Sequence, residues 1–158
     1  MRRWISGVST MLKTPPGPAM WLGASGLLPF FGLAFLALVG APDWAATAVD
    51  GLLIYAATIL AFMGGCRWGF AAAGLGDGPD WGPLAVSVLP SLWAWAVVWA
   101  RPPLSDGFAA LLLAIGFAAL YWDDARATAR HAAPAWWRAL RAPLTVGACV
   151  ALLSLQFR

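Results

Sequence analysis

Five long apolar stretches, separated only by short turn-rich strings, constrain this chain more than any other feature. They run about Ala19–Gly40, Ala45–Ala73, Gly82–Ala100, Leu104–Trp122 and Leu140–Phe157. Each is long enough, or nearly so, to cross roughly 30 Å of hydrocarbon as a helix rising about 1.5 Å per residue. The strings between the earlier ones, "GAPDW", "LGDGPDWGP" and "RPPLSD", are Gly, Pro and Asp punctuation. Composition points the same way. With 61% hydrophobic and 11% charged residues, a soluble fold would lack the polar side chains to cover its surface.

The fold class that follows is an all-α integral membrane protein, a five-transmembrane-helix bundle. Residues 1–18 read as an amphipathic interfacial segment, and 19–158 as a single transmembrane domain with no soluble appendage. The first apolar stretch exceeds the 7–15 residues of a signal-peptide core, so it reads as a retained helix. The second is longer than a crossing requires and is expected to tilt or project. Pro143 is placed in the first turn of the fifth, where a missing N–H costs little.

Orientation follows from the Lys and Arg count near the helix ends. With the N-terminus inside, Arg2, Arg3, Lys13, Arg67, Arg126, Arg130, Arg138 and Arg141 lie on the inner side, and only Arg101 and Arg158 on the outer. The C-terminus is then outside. "RRWISGVSTMLK" and "ARHAAPAWWRALRAPL", with Trp136 and Trp137 ahead of Arg138 and Arg141, read as positive-inside anchors at the headgroup level. Nine Arg against one Lys, and seven Asp with no Glu, suggest GC-rich codons and a bacterial inner membrane, with a mitochondrial one as the alternative.

The second helix carries the densest pattern. Ala57, Ala61, Gly65 and Gly69 recur at i+4 and predict a packing face, because close backbone approach drives helix association in lipid. Arg67 lies 22 residues past the start of this stretch, near the inner surface. The reading adopted is a snorkelling anchor; the alternative is a contact to a carboxylate or phosphate at the inner mouth of the bundle.

Pro29 and Pro90 interrupt the first and third helices and free the carbonyls of Ser25 and Val86. Ser87, Ser91 and Trp95 share a face of the third helix, and Tyr55 and Thr58 reach comparable depth from the second. Packing is the preferred role; a small apolar cavity between helices is the alternative.

Enzyme chemistry finds little support. The one histidine, His131, follows Asp123 and Asp124 in "DDARATARH", which reads as a solvated helix extension rather than part of a nucleophile–base set. Cys66 and Cys149 lack CxxC spacing and a nearby His, and read as small buried hydrophobes. No metal, cofactor or nucleic-acid partner is expected; membrane lipid, other membrane subunits or further copies of the chain are.

"LGASGLLPF", "YAATILAFMGGCRWG", "LPSLWAW", "YWDDA" and "PAWWRALRAPLT" occur in the order seen in the transmembrane protein 69-like family, which the chain resembles over roughly residues 19–150. The resemblance implies a small polytopic protein of a bacterial inner or a mitochondrial membrane, and no catalytic residues. The expected role is an accessory or assembly component packing beside an inner-membrane complex. The alternative is a binder or transporter of a small hydrophobic molecule between the Pro-broken helices.

Overall fold

The computed structural model describes residues 14–76 and 80–158. The interfacial segment expected over residues 1–18 therefore lies largely outside the described part. The rest is helical: α1 Gly17–Ser25, α2 Leu27–Val39, α3 Pro42–Ala72, α4 Trp81–Trp99, α5 Asp106–Ala129 and α6 Trp137–Leu153, closed by a 3₁₀ turn at Ser154–Phe157. With α1 and α2 taken together, five helices are long and apolar enough to cross a membrane.

Local sequence sets the helix ends. Pro42 opens α3 with Asp43 in its first turn, where a carboxylate meets the positive end of the helix dipole. Ser105 caps α5, its hydroxyl accepting from the Phe108 N–H at 3.2 Å. Pro143 falls in the second turn of α6, not the first, because that helix already starts at Trp137.

The break in the first span falls at Gly26, one turn before Pro29. Lacking an N–H, Pro29 cannot bond the Ser25 carbonyl. The chain nevertheless passes through Gly26 in helical conformation (φ −63°, ψ −17°). Tyr55 of α3 donates its hydroxyl to the Gly26 carbonyl at 2.9 Å. Ser25 takes no part in this and donates to Leu22 O instead. Pro29 itself is exposed.

The core lies where α2, α3, α5 and α6 meet. Phe30 sits edge-on to Tyr55 and Phe117, with ring centres 5.1 and 6.0 Å apart, and Leu52, Leu60, Leu113 and Leu152 close around them. Helix α4 packs on α3 and, more loosely, on α5. The helix surface is apolar: Trp21, Phe35, Trp44, Trp95 and Trp99 are all exposed, as residues facing lipid or its interface are.

The packing face of α3 differs from the one the glycines predict. Ala56, Leu60 and Gly64 are buried. Gly65 and Gly69 are exposed, and a Cβ built on either would meet nothing within 4 Å. Ala57 and Ala61 are half-buried at the margin. The close-approach glycine is Gly64: a Cβ there would lie 2.7 Å from the Ser87 carbonyl oxygen and 3.3 Å from Pro90. The reason is a phase shift of one residue, or about 100° around the helix. The i+4 glycine spacing is real, but the larger apolar stripe Val49–Leu53–Ala56–Leu60 decides which face turns inward.

Candidate functional site: a charged centre and an apolar groove

Two layers of ion pairs bracket the apolar middle of the bundle. At one end Arg101 pairs with Asp50 and Asp106, and Arg158 reaches Asp106 at 3.7 Å. Burial works against the Arg101 charge, but its hydrogen bonds to the two carboxylates outweigh that and hold its pKa above the ordinary arginine value. At the other, cation-rich end, Arg67, Asp123, Asp124 and Arg141 converge. Asp50 to Arg67 on α3 and Asp106 to Asp123 on α5 are both 17 residues, or about 25 Å of helix. That is close to the roughly 30 Å hydrocarbon thickness of a bilayer, the spacing expected of charges at its two edges.

The cation-rich centre is built from three helices. Arg67 of α3 donates Nε to Asp123 Oδ2 at 3.1 Å, and its Nη2 lies 3.1 Å from the same oxygen. Nη1 donates to the Ala132 carbonyl at 3.2 Å, and Nε lies 3.5 Å from Asp124 Oδ1. From α6, Arg141 donates Nε to Asp124 Oδ2 at 2.9 Å. Asp124 and Arg141 side chains are only 1% and 2% exposed, and Arg67 12%. Trp137 of α6 is buried, packed edge-on to Phe70 with ring centres 4.9 Å apart.

These placements correct several sequence readings. Arg67 is not a snorkelling anchor; it holds carboxylates, the alternative considered for it. Arg141 and Trp137 are buried within the protein rather than facing headgroups. "DDARATARH" is not wholly solvated, since Asp124 is fully buried and α5 ends at Ala129, before His131, whose φ is 59°. One sequence signal does point to Arg141: it shares the spacing Arg141–Thr145–Ala148–Leu152 with residues that continue one inward face of α6. All four are buried.

A cavity of about 540 Å³ opens between α4 and α5, with Arg67 and Asp123 at one end. Its walls are Leu89, Pro90, Trp93 and Ala96 from α4, facing Ile115 and Ala119 from α5. The groove persists because Gly116 lets Trp93 lie across α5: a Cβ at Gly116 would meet Trp93 Cδ1 and Leu60 Cδ2 at 2.8 Å. Trp93 is fixed there by its indole N–H, donated to the Leu112 carbonyl at 2.9 Å. The volume falls within the roughly 300–1,000 Å³ range of small-molecule sites.

Of the residues considered as ligand contacts, Arg67 and Ser87 line this groove, and Pro90 forms part of its wall. The others do not. Tyr55 is engaged at the Gly26 break, Thr58 is exposed and donates to Ile54 O, and Ser91 points to Ala61 O at 3.5 Å. Trp95 is exposed and stacked on Trp99. Cys66 and Cys149 are half-buried free thiols; Cys149 donates weakly to Ala114 O at 3.6 Å. Among the described residues no cluster of His, Cys, Asp or Glu is placed to hold a metal.

Residues 15–156 match a family described as a protein of unknown function (DUF3429). Transmembrane protein 69 of Xenopus tropicalis is 36% identical over 143 residues, covering 90% of this chain and 54% of that protein. Transmembrane protein 69 of Mus musculus is 29% identical over 145 residues, covering 91% and 57%. The chain thus spans about half the length of the curated relatives it matches. No solved structure matches it.

Proposed function

The chain belongs to the DUF3429 family of transmembrane protein 69-like membrane proteins, and we propose, from the groove itself, that it binds a small hydrophobic amphiphile between α4 and α5. The observation that carries this reading is the groove's polarity along the membrane normal. Its charged end, Arg67 with Asp123, lies near the edge of the hydrocarbon, and its apolar walls run from there toward the middle. An amphiphile in the inner leaflet has the same polarity, with its head at the interface and its tail below. Burial of apolar tail surface contributes about 25 cal/mol per Å² where water is displaced; against lipid, fit and head contacts decide.

The role is binding rather than catalytic. Ser87, the hydroxyl on the groove wall, is buried, and its proton is engaged by the Leu84 carbonyl at 2.6 Å rather than by a base. A bacterial inner membrane is the proposed location. A second reading, an accessory subunit beside a larger complex, is favoured by one observation: the exposed Gly65–Gly69 face offers a partner helix close approach.

Purification in a mild detergent followed by mass spectrometry of the released small molecules tests both. One amphiphile per chain, absent from an Ala119→Phe variant that fills the groove, supports binding. A stoichiometric membrane subunit with no bound amphiphile would favour the accessory role and count against the groove.

A further inference from the structure

We propose that the polar end of the groove selects a zwitterionic head bearing N–H donors, the chemistry of an aminophospholipid; this rests on the groove-binding reading. Two arginines and two aspartates meet at this end, and their charges sum to zero. A purely anionic head seated in the groove therefore finds no uncompensated cation among these four residues, and it would bring its charge beside Asp123. An uncharged apolar end would leave the exposed part of the ion pair facing hydrocarbon, which is costly.

The free valences of the two groove-facing residues specify the head more closely. Arg67 engages Asp123 through Oδ2 alone, and the Asp123 side chain keeps 37% of its surface exposed. Among the described residues no donor bonds Oδ1, which leaves it available to an N–H donor. A guanidinium carries five N–H groups. With Nε and one N–H on each terminal nitrogen directed at Asp123 and Ala132, one N–H on each terminal nitrogen is left for a phosphate oxygen. An ammonium and a phosphate joined by a short ethylene link match this adjacent acceptor and donor.

The other cations at this end among the described residues do not provide the same selection. Arg126, Arg130 and Arg138 are exposed, and Arg126 lies over the Trp122 ring at 4.9 Å. Facing water, they attract phosphate of any lipid class and are screened over about 10 Å at ordinary salt.

The test uses the whole chain in detergent, offered equal amounts of phosphatidylethanolamine, phosphatidylcholine and phosphatidylglycerol with identical acyl chains, read by native mass spectrometry. Phosphatidylcholine is also zwitterionic but has no N–H, and phosphatidylglycerol is anionic. Ethanolamine lipid should be retained about tenfold over either, the scale of one charge-assisted hydrogen bond. Asp123→Asn, at a part-exposed position, should lower it to the choline level, and Ala119→Phe should remove all three. If choline lipid matches it, or glycerol lipid exceeds it, while Ala119→Phe still abolishes retention, the head assignment is overturned and the groove reading stands. If retention is unchanged by Ala119→Phe, the groove reading itself falls.

Discussion

Arg141 Nε donates to Asp124 Oδ2 across 2.9 Å, and both side chains are almost completely enclosed by protein. The pair joins α6 to α5 at the edge of the apolar core, and Arg67 brings α3 to the same carboxylate. Asp124 Oδ1, Arg141 Nη2 and Thr145 Oγ1 nonetheless have no hydrogen-bond partner among the described residues. A buried pair of this kind is costly to assemble and more costly to break on one side only.

Removing one member should therefore be severe. Arg141→Met or Asp124→Leu alone is expected to cost about 3–5 kcal/mol, since each strands a buried charge. The double replacement should recover most of that loss. Thermal unfolding of detergent-solubilised protein measures all three, and a double variant no better than the worse single would refute the account.

Arg67→Lys separates the ion-pair role from simple anchoring. A lysine could snorkel equally well, but it cannot contact Asp123, Asp124 and the Ala132 carbonyl together. The expected loss is about 1.5–3 kcal/mol, from hydrogen bonds to charged groups. A variant melting with the parent would restore the anchor reading.

Neighbouring glycines should behave in opposite ways. Gly64→Ala drives a methyl against the Ser87 carbonyl and Pro90, an overpacking expected to cost about 1–3 kcal/mol. Gly65→Ala meets open space and should be neutral or stabilising by up to about 1 kcal/mol through helix propensity. Paired melting curves decide it; equal effects at both positions would show that the face of α3 is assigned wrongly.

Tyr55→Phe keeps the edge-on ring contact with Phe30 but removes the hydroxyl bound to Gly26 O. A loss of about 0.5–1.5 kcal/mol is expected, with faster hydrogen exchange around Gly26. Pro29→Ala, at an exposed site, should not destabilise. Should Pro29→Ala prove the more damaging change, the break would depend on the proline ring rather than on the tyrosine.

Much of the architecture is a one-dimensional property and so was legible in the residues. Whether a segment can cross a bilayer depends on its own length and apolarity, and the five stretches correspond to five such helices with ends shifted by up to about one or two turns. The exposed Trp and Phe belt follows from the same hydropathy. What the sequence leaves open is everything that depends on rotation about a helix axis and on which helices are neighbours. Gly65 and Gly69 satisfy a packing motif, yet a shift of one residue hands the contact to Gly64, because burying Leu60 and Ala56 outweighs the spacing of the glycines. Arg67 and Arg141 read separately as interfacial anchors, and Asp124 as part of a solvated helix extension. Only tertiary packing, bringing α3, α5 and α6 to one point, joins them with Asp123 in a charge-compensated centre, because opposite charges compensate one another only at hydrogen-bonding distance, which residues 17 and 57 positions apart reach through the fold alone.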